Sequence, residues 1–162
     1  MLHPDDLCRA DNPETPDLEH ARWAVDTADK KGVRLALENC FTPLDFLRET
    51  IRKTDGLGFC LDVGHPYLCG LPFGDLVREL KGDLIHVHLQ DTLPAADGEV
   101  PWMAADHYTP GTGSIPPDDW RLLAEALKEI DFTGTAVFEI LPRNPVQHAR
   151  AGQAFFEKLL AE

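Results

Sequence analysis

The sequence of 162 residues has no long apolar run. Nothing in it approaches the roughly 18 consecutive apolar residues of a membrane-spanning helix. Its first residues, Met-Leu-His-Pro-Asp-Asp, lack the basic-then-apolar pattern of a secretory signal. These absences predict a cytoplasmic protein that does not bind membranes.

Cysteine is scarce and unpatterned. The four cysteines, Cys8, Cys40, Cys60 and Cys69, form no Cys-x-x-Cys pair and no zinc-finger spacing. Isolated cysteines of this kind are typical of buried, reduced thiols in the cytosol. We therefore expect neither a disulfide framework nor a structural zinc site.

Positive charge is scarce as well. Lys plus Arg is 15 against 28 for Asp plus Glu, a formal net charge of −13, and the longest basic run is Lys30-Lys31. A duplex-binding protein normally carries a basic face, because phosphate neutralisation supplies much of its affinity. The excess of acidic residues argues against nucleic-acid binding. It favours a mostly neutral small substrate held by a cation that carboxylates bind.

What the sequence does contain is a repeated strand–helix pattern. Apolar runs predict strands at residues 33–37, 57–61, 84–89 and 136–138. Helices are predicted at 17–31, 42–53, 73–80, 118–130 and 145–160, with Leu2-His3-Pro4 as the tail of an earlier strand and loops at 5–16 and 90–117. Strands that are apolar on both faces and joined by helices indicate a parallel sheet.

Four of these strands are followed by, or end in, a side chain that can bind a metal. The residues are Glu38, Asp62, His88 and Glu139. In a β/α barrel the carboxyl ends of the strands surround one mouth, so the four side chains are expected to converge. Three carboxylates and one imidazole suit a single divalent ion, with Mn²⁺, Mg²⁺ or Co²⁺ favoured and Zn²⁺ less so, because the set has no thiolate. His86 shares the face of His88 and is interpreted as structural.

The ordered motifs resemble a known family. They are Leu35-Ala-Leu-Glu-Asn39, Leu61-Asp-Val-Gly-His65, His86-Val-His-Leu-Gln-Asp91, His107 followed by Gly111-Thr-Gly-Ser-Ile115, and Phe138-Glu-Ile140. This set is similar to that of the xylose isomerase-like TIM-barrel superfamily, which contains sugar isomerases, ketose 3-epimerases and endonuclease IV. The resemblance covers nearly the whole chain and implies a sugar or sugar-phosphate isomerase or epimerase.

Resemblance to the ketose 3-epimerase branch implies roles for individual residues. Glu38 and Glu139 would bind the metal and also exchange a proton with carbon next to a carbonyl, through a metal-stabilised enediolate. His65 would lie near the substrate. On the loops, His107, Trp102 and Arg143 are predicted to contact the carbohydrate. The Gly111-Thr-Gly113 segment is either a phosphate cradle or a turn.

Resemblance to the endonuclease branch implies a different site. His3, His65 and His107 would then join the ligands of a trinuclear zinc centre. That branch carries Asp two residues before the loop histidine, where this sequence has Ala105. The departure and the acidic charge weigh against DNA repair. A third alternative is a non-catalytic metal-binding domain.

Length limits the fold. A complete (β/α)₈ barrel takes about 250 residues, whereas four units are recognisable here. We therefore expect residues 1–162 to form one domain corresponding to the C-terminal part of a parallel β/α barrel, N-terminally incomplete. A fragment, a homodimer of two half-barrels and an open α/β sheet all remain consistent with the sequence.

Overall fold

The computed structural model describes residues 1–9, 12–93, 107–141 and 144–161. Its strands are β1 (Cys8–Arg9), β2 (Asn12–Pro16), β3 (Ala36–Glu38), β4 (Gly58–Asp62), β5 (Leu84–Leu89) and β6 (Thr135–Phe138). Its α-helices are α1 (Leu18–Asp29), α2 (Leu44–Arg52), α3 (Gly64–Leu68), α4 (Phe73–Glu79), α5 (Pro117–Glu129) and α6 (Pro145–Ala161). None of the helices in these residues is long and apolar enough to cross a membrane.

The main sheet contains four parallel strands in the order β3-β4-β5-β6. Consecutive strands are neighbours, with helices between them, as in a β/α barrel. Outside β3, the Leu2 amide donates to the Ala36 carbonyl at 2.8 Å, and the Glu38 amide donates to the Leu2 carbonyl at 3.0 Å. Leu2 therefore continues the parallel sheet, as the sequence predicted.

The core lies between the outer face of this sheet and the helices. Alternate strand residues, including Phe59, Leu61 and Val87, belong to one buried cluster with helix residues such as Leu47 and Trp120. The period of two along each strand leaves the other alternate residues, among them the polar ones, on the opposite, concave face. Helix packing on one face therefore directs polar side chains to the inside of the partial barrel.

Two short elements differ from the prediction. The segment expected to be a loop before α1 contains a 3₁₀ turn (Pro4–Leu7) and the antiparallel hairpin of β1 and β2. Proline does not donate to a ladder, so the prolines of β2 conceal its extended form in the sequence. Helix α3 was also not predicted, because it has only five residues and contains Pro66.

Candidate metal centre

Parallel strand ends bring together the four predicted ligands. Glu38 and Asp62 are the last residues of β3 and β4, His88 is the penultimate residue of β5, and Glu139 directly follows β6. One ligand atom from each lies within 4.8 Å of the others. His88 Nδ1 lies 3.4 Å from Glu38 Oε1, 3.8 Å from Asp62 Oδ2 and 2.6 Å from Glu139 Oε2. We call these four residues the carboxylate centre.

Three of the four residues of the carboxylate centre are buried although the centre is charged, and Glu139 is partly exposed. Asp62 is 0%, Glu38 2% and His88 6% exposed. Among the described residues, neither His88 Nδ1 nor Glu139 Oε2 has a hydrogen-bond partner, although the two atoms form an ion pair at 2.6 Å. Buried charges require compensation from partners or a metal. Inward-facing carboxylate oxygens and an imidazole nitrogen without such a partner fit a divalent cation.

Proton affinities at the centre reflect this burial. Burial raises the pKa of Asp62 to about 6, although His65 and Gln90 act in the opposite direction. Burial lowers the pKa of His88, but interactions with Cys60, Glu139 and Glu38 outweigh it and raise this pKa to about 12. Contacts with His107 and then His88 hold the pKa of Glu139 well below its usual range. A cation at this centre would therefore compete with protons for its ligands.

Gln90 positions Asp62, a role that the sequence alone does not indicate. Its Nε2 donates to both Asp62 carboxylate oxygens at 3.1 Å, and its Oε1 accepts from the His107 amide at 2.6 Å. A Cβ on Gly64 would lie 2.7 Å from the Gln90 side chain, so glycine there leaves room for Gln90 to reach Asp62. The available signal was that Gln90 is a polar residue directly after a strand.

Asn39 fixes the backbone that carries Asp62. Its Nδ2 donates to the Asp62 carbonyl at 3.0 Å, and its Oδ1 accepts from the Asp62 amide at 2.6 Å. The side-chain amide thus continues the hydrogen bonding between β3 and β4 beyond the end of their ladder. Orienting partners of this kind hold metal ligands in place.

Three further histidines surround the carboxylate centre. His3 Nε2 lies 3.3 Å from Glu38 Oε2, His65 Nδ1 lies 3.7 Å from Asp62 Oδ1, and His107 Nε2 lies 3.7 Å from Glu139 Oε1. His107 has a φ of 61°, an uncommon conformation for a residue other than glycine. The structure thus brings His65 and His107 next to the predicted ligands. The other two predicted substrate contacts, Trp102 and Arg143, lie outside the described residues.

The glycine-rich segment after His107 folds around a buried carboxylate. Asp91 Oδ1 accepts from the Ile115 amide at 3.1 Å, and Asp91 Oδ2 accepts from the Gly111 amide at 2.9 Å. These two amides point to Asp91 and are not directed at a ligand. Of the two interpretations left open by the sequence, the structure therefore supports the turn over the phosphate cradle.

A model of the xylose isomerase-like TIM barrel family matches residues 17–159. No curated protein matches the chain. Among solved structures, an L-ribulose 3-epimerase matches with 18% identity and a TM-score of 0.70, over 95% of this chain and 56% of that one. A D-tagatose 3-epimerase-like protein matches with 24% identity and a TM-score of 0.67, over 88% of this chain and 54% of that one.

A third solved structure is described as the IolI protein with a binding zinc atom. It matches with 19% identity and a TM-score of 0.69, over 93% of this chain and 57% of that one. At these identities the likeness shows the fold alone. The chain spans about half the length of these three structures, so its four-stranded sheet corresponds to part of a barrel. The expected partial β/α barrel is thereby confirmed.

Proposed function

This chain belongs to the xylose isomerase-like TIM barrel family, and we propose that it is a metal-dependent sugar or sugar-phosphate isomerase or epimerase. The observation that carries the proposal is the carboxylate centre, in which four ligand atoms from successive strands lie within 4.8 Å of one another. Solved proteins of the same fold include 3-epimerases of ribulose and psicose, which supports a carbohydrate substrate.

Glu38, Asp62, His88 and Glu139 would hold one divalent cation, with Mn²⁺, Mg²⁺ or Co²⁺ favoured and Zn²⁺ also compatible. When bound, the cation would polarise the substrate carbonyl and stabilise negative charge developing on its oxygen. Asp62 and His88 are the interior members of the set, and Gln90 orients Asp62. We assign ligand roles alone to Asp62 and His88, since both lie between the two glutamates in strand order.

Glu38 and Glu139 would exchange the substrate proton. They are carried by β3 and β6, the two outer strands of the four, so they approach the space above His88 from opposite sides. Epimerisation requires one group to remove a proton from carbon next to the carbonyl and another to return it on the opposite face. Two glutamates on opposite sides of one cation meet that requirement.

His65 and His107 would contact the substrate. His65 Nδ1 is buried without a hydrogen-bond partner among the described residues, and it lies 3.9 Å from Glu38 Oε1. His107 lies beside the other glutamate, 3.7 Å from Glu139 Oε1. Each histidine can therefore hydrogen-bond a hydroxyl group next to one of the two proton-transfer groups. Trp102 and Arg143 remain proposed substrate contacts on the grounds of sequence.

The proposal is tested by metal content and turnover. Protein purified with Mn²⁺ should hold one ion per chain by elemental analysis, and Glu38→Gln or Glu139→Gln should weaken binding by about tenfold or more. Glu129→Gln, on the exposed surface, is the control and should bind normally. Interconversion of a ketose should be lost in both site variants. A folded protein without metal affinity would overturn the proposal, and metal binding without turnover would favour a non-catalytic domain.

Endonuclease-type phosphodiester hydrolysis is a second candidate. It is favoured by one observation, namely that His3, His65 and His107 each lie within 4 Å of a carboxylate of the carboxylate centre. Such histidines could enlarge the site to three zinc ions. This candidate predicts three Zn²⁺ bound at the mouth and cleavage of DNA at abasic sites. Protein that binds one Mn²⁺ and leaves abasic DNA intact would exclude it.

A further inference from the structure

A second group of metal-ligating side chains lies on the concave face, one layer below the carboxylate centre. Cys60 pairs with His86 across β4 and β5, as Asp62 pairs with His88 at the next position on the same face. One ligand atom each from Cys60, His86 and His88 lies within 4.8 Å of the others. We call Cys60, His86 and His88 the sulfur site.

The sulfur site differs chemically from the carboxylate centre. It combines one thiol with two imidazoles and contains no carboxylate. Thiolate and imidazole ligands select Zn²⁺, Co²⁺ or copper, whereas Mg²⁺ and Mn²⁺ prefer oxygen. A buried cysteine is most often a small apolar side chain in a core. Cys60 is fully buried, but it lies on the polar concave face, interacts with the His88 ring and is not a member of the apolar core cluster.

We propose that Cys60, His86 and His88 bind a thiophilic transition-metal ion such as Zn²⁺, without any requirement for Glu38 or Glu139. This inference goes beyond the proposed function, which gives the thiol no role. Binding requires the thiolate of Cys60 and neutral imidazoles of His86 and His88, and the protons displaced from these ligands pass to the buffer. The fourth coordination position is left for water or another small ligand, as in three-ligand zinc sites. Mg²⁺ and Mn²⁺ would then bind at the carboxylate centre, and thiophilic ions such as Zn²⁺ would bind at the sulfur site one layer below it.

Titration of the whole chain with Co²⁺ tests this proposal, because thiolate ligation produces a charge-transfer absorption band in the near ultraviolet. We expect the band in the wild-type protein and its loss in Cys60→Ser. Cys69→Ser is the matched control, since Cys69 is exposed, and should keep the band. His86→Asn alters a half-buried ligand at little risk to folding and should weaken the Co²⁺ binding that the band reports by about tenfold or more. Circular dichroism verifies that each variant is folded.

Further variants separate the sulfur site from its alternatives. Glu139→Gln should weaken Mn²⁺ binding but retain the Co²⁺–thiolate band, so failure of the proposed function and failure of this inference can be distinguished. His3, Glu38 and Cys40 also lie close enough to share an ion, and Cys40→Ser tests that group. Absence of the band from folded wild-type protein, its persistence in Cys60→Ser, or its loss in Cys40→Ser or Glu139→Gln would overturn the proposal.

Discussion

Asp62 is a fully buried residue whose titration should control metal binding. Burial raises its pKa to about 6, and a protonated carboxyl does not bind a cation. The pKa of His88 is raised to about 12, so its proton must be displaced throughout the neutral range. Below about pH 6 a cation displaces protons from both residues, and above it from His88 alone. We therefore expect Mn²⁺ affinity to rise with pH, and more steeply below about 6 than above it.

Calorimetric titrations between about pH 5 and about pH 8 in buffers of different ionisation enthalpy would measure both the affinity and the protons released. Proton release per ion should decrease as the pH rises through about 6. Proton release that stays constant through about pH 6 would contradict the role assigned to Asp62.

Gln90 is the residue that we expect to contribute both to the stability of the fold and to the metal affinity of the carboxylate centre. Gln90→Leu would remove both hydrogen bonds to Asp62 and the acceptor of the His107 amide. Leaving buried polar groups unpaired costs about 1–3 kcal/mol, and losing a partner that orients a ligand costs about 10–100-fold in metal affinity. Denaturant unfolding and Mn²⁺ titration measure the two effects.

Gln153→Leu is the matched control for Gln90→Leu. Gln153 lies on the exposed side of α6, where it hydrogen-bonds Glu157. Exposed substitutions usually change the free energy of unfolding by less than about 0.5 kcal/mol. Unchanged stability and affinity in Gln90→Leu would show that Asp62 is held by other contacts.

At this scale the sequence indicated the four residues that converge in the carboxylate centre better than it indicated the residues that hold them in place. Glu38, Asp62, His88 and Glu139 could be selected because each is polar at the end of an apolar strand, and parallel strand ends meet. The role of Gln90 could not be predicted from the sequence. It depends on the Gln90 side chain reaching from the end of β5 to Asp62 at the end of β4. This contact also requires the space that Gly64 leaves for the Gln90 side chain, which is known only from the structure.

At the scale of elements, Asp91 joins the end of β5 to the loop that leads into α5. Its carboxylate accepts from three backbone amides, those of Thr92, Gly111 and Ile115. In Asp91→Asn an amide group must face one of these donors, so at least one hydrogen bond is lost and the charge-assisted contribution disappears. We expect a loss of about 1–3 kcal/mol in the free energy of unfolding.

Hydrogen exchange gives a local measurement of the same change. The amides of Gly111 and Ile115 should exchange faster in Asp91→Asn, whereas those of β4 should change only with global stability. Asp55→Asn, at an exposed turn, is the control and should leave both unaffected. Wild-type protection at Gly111 in the variant would contradict the assigned contacts.

Helices with clear apolar periodicity were predictable, and short elements stabilised by tertiary contacts were not. Helix α1 lies within the helix predicted at residues 17–31, and the Asp17 carboxylate caps it by accepting from the His20 amide at 3.0 Å. The β1–β2 hairpin contains too few residues for a periodic signal. Its antiparallel pairing is extended by one hydrogen bond, which the Asp17 amide donates to the Leu7 carbonyl at 2.6 Å. Such contacts between distant residues leave no local pattern.

At the scale of the whole molecule, the sheet formed by the described residues does not close into a barrel. Four strands and the Leu2 bridge occupy about half of the circumference that eight strands close. The sequence predicted this from length and strand count. It could not indicate which surfaces become exposed as a result, because strand residues that are apolar on both faces look the same whether or not a partner covers them.

The outer edge of β6 is the part of the sheet that we expect to cause self-association in solution. Among the described residues no strand pairs with this edge, and Val137 is 42% exposed. Unpaired, apolar strand edges promote association with other chains, and a lysine there opposes it. Wild-type chains should therefore self-associate as their concentration rises, consistent with two half-barrels pairing, and Val137→Lys should shift the mass measured by light scattering toward one chain.

Leu122→Lys provides the control for Val137→Lys, because Leu122 is 47% exposed but lies on α5, away from the sheet edge. It should leave the mass distribution unchanged. All four residues of the carboxylate centre belong to one chain, so wild-type protein diluted until it dissociates should still bind one Mn²⁺ per chain. A wild-type protein with the mass of a single chain at every concentration would rule out pairing through β6. Loss of the metal together with association would instead mean that a second chain is needed to hold the centre in place.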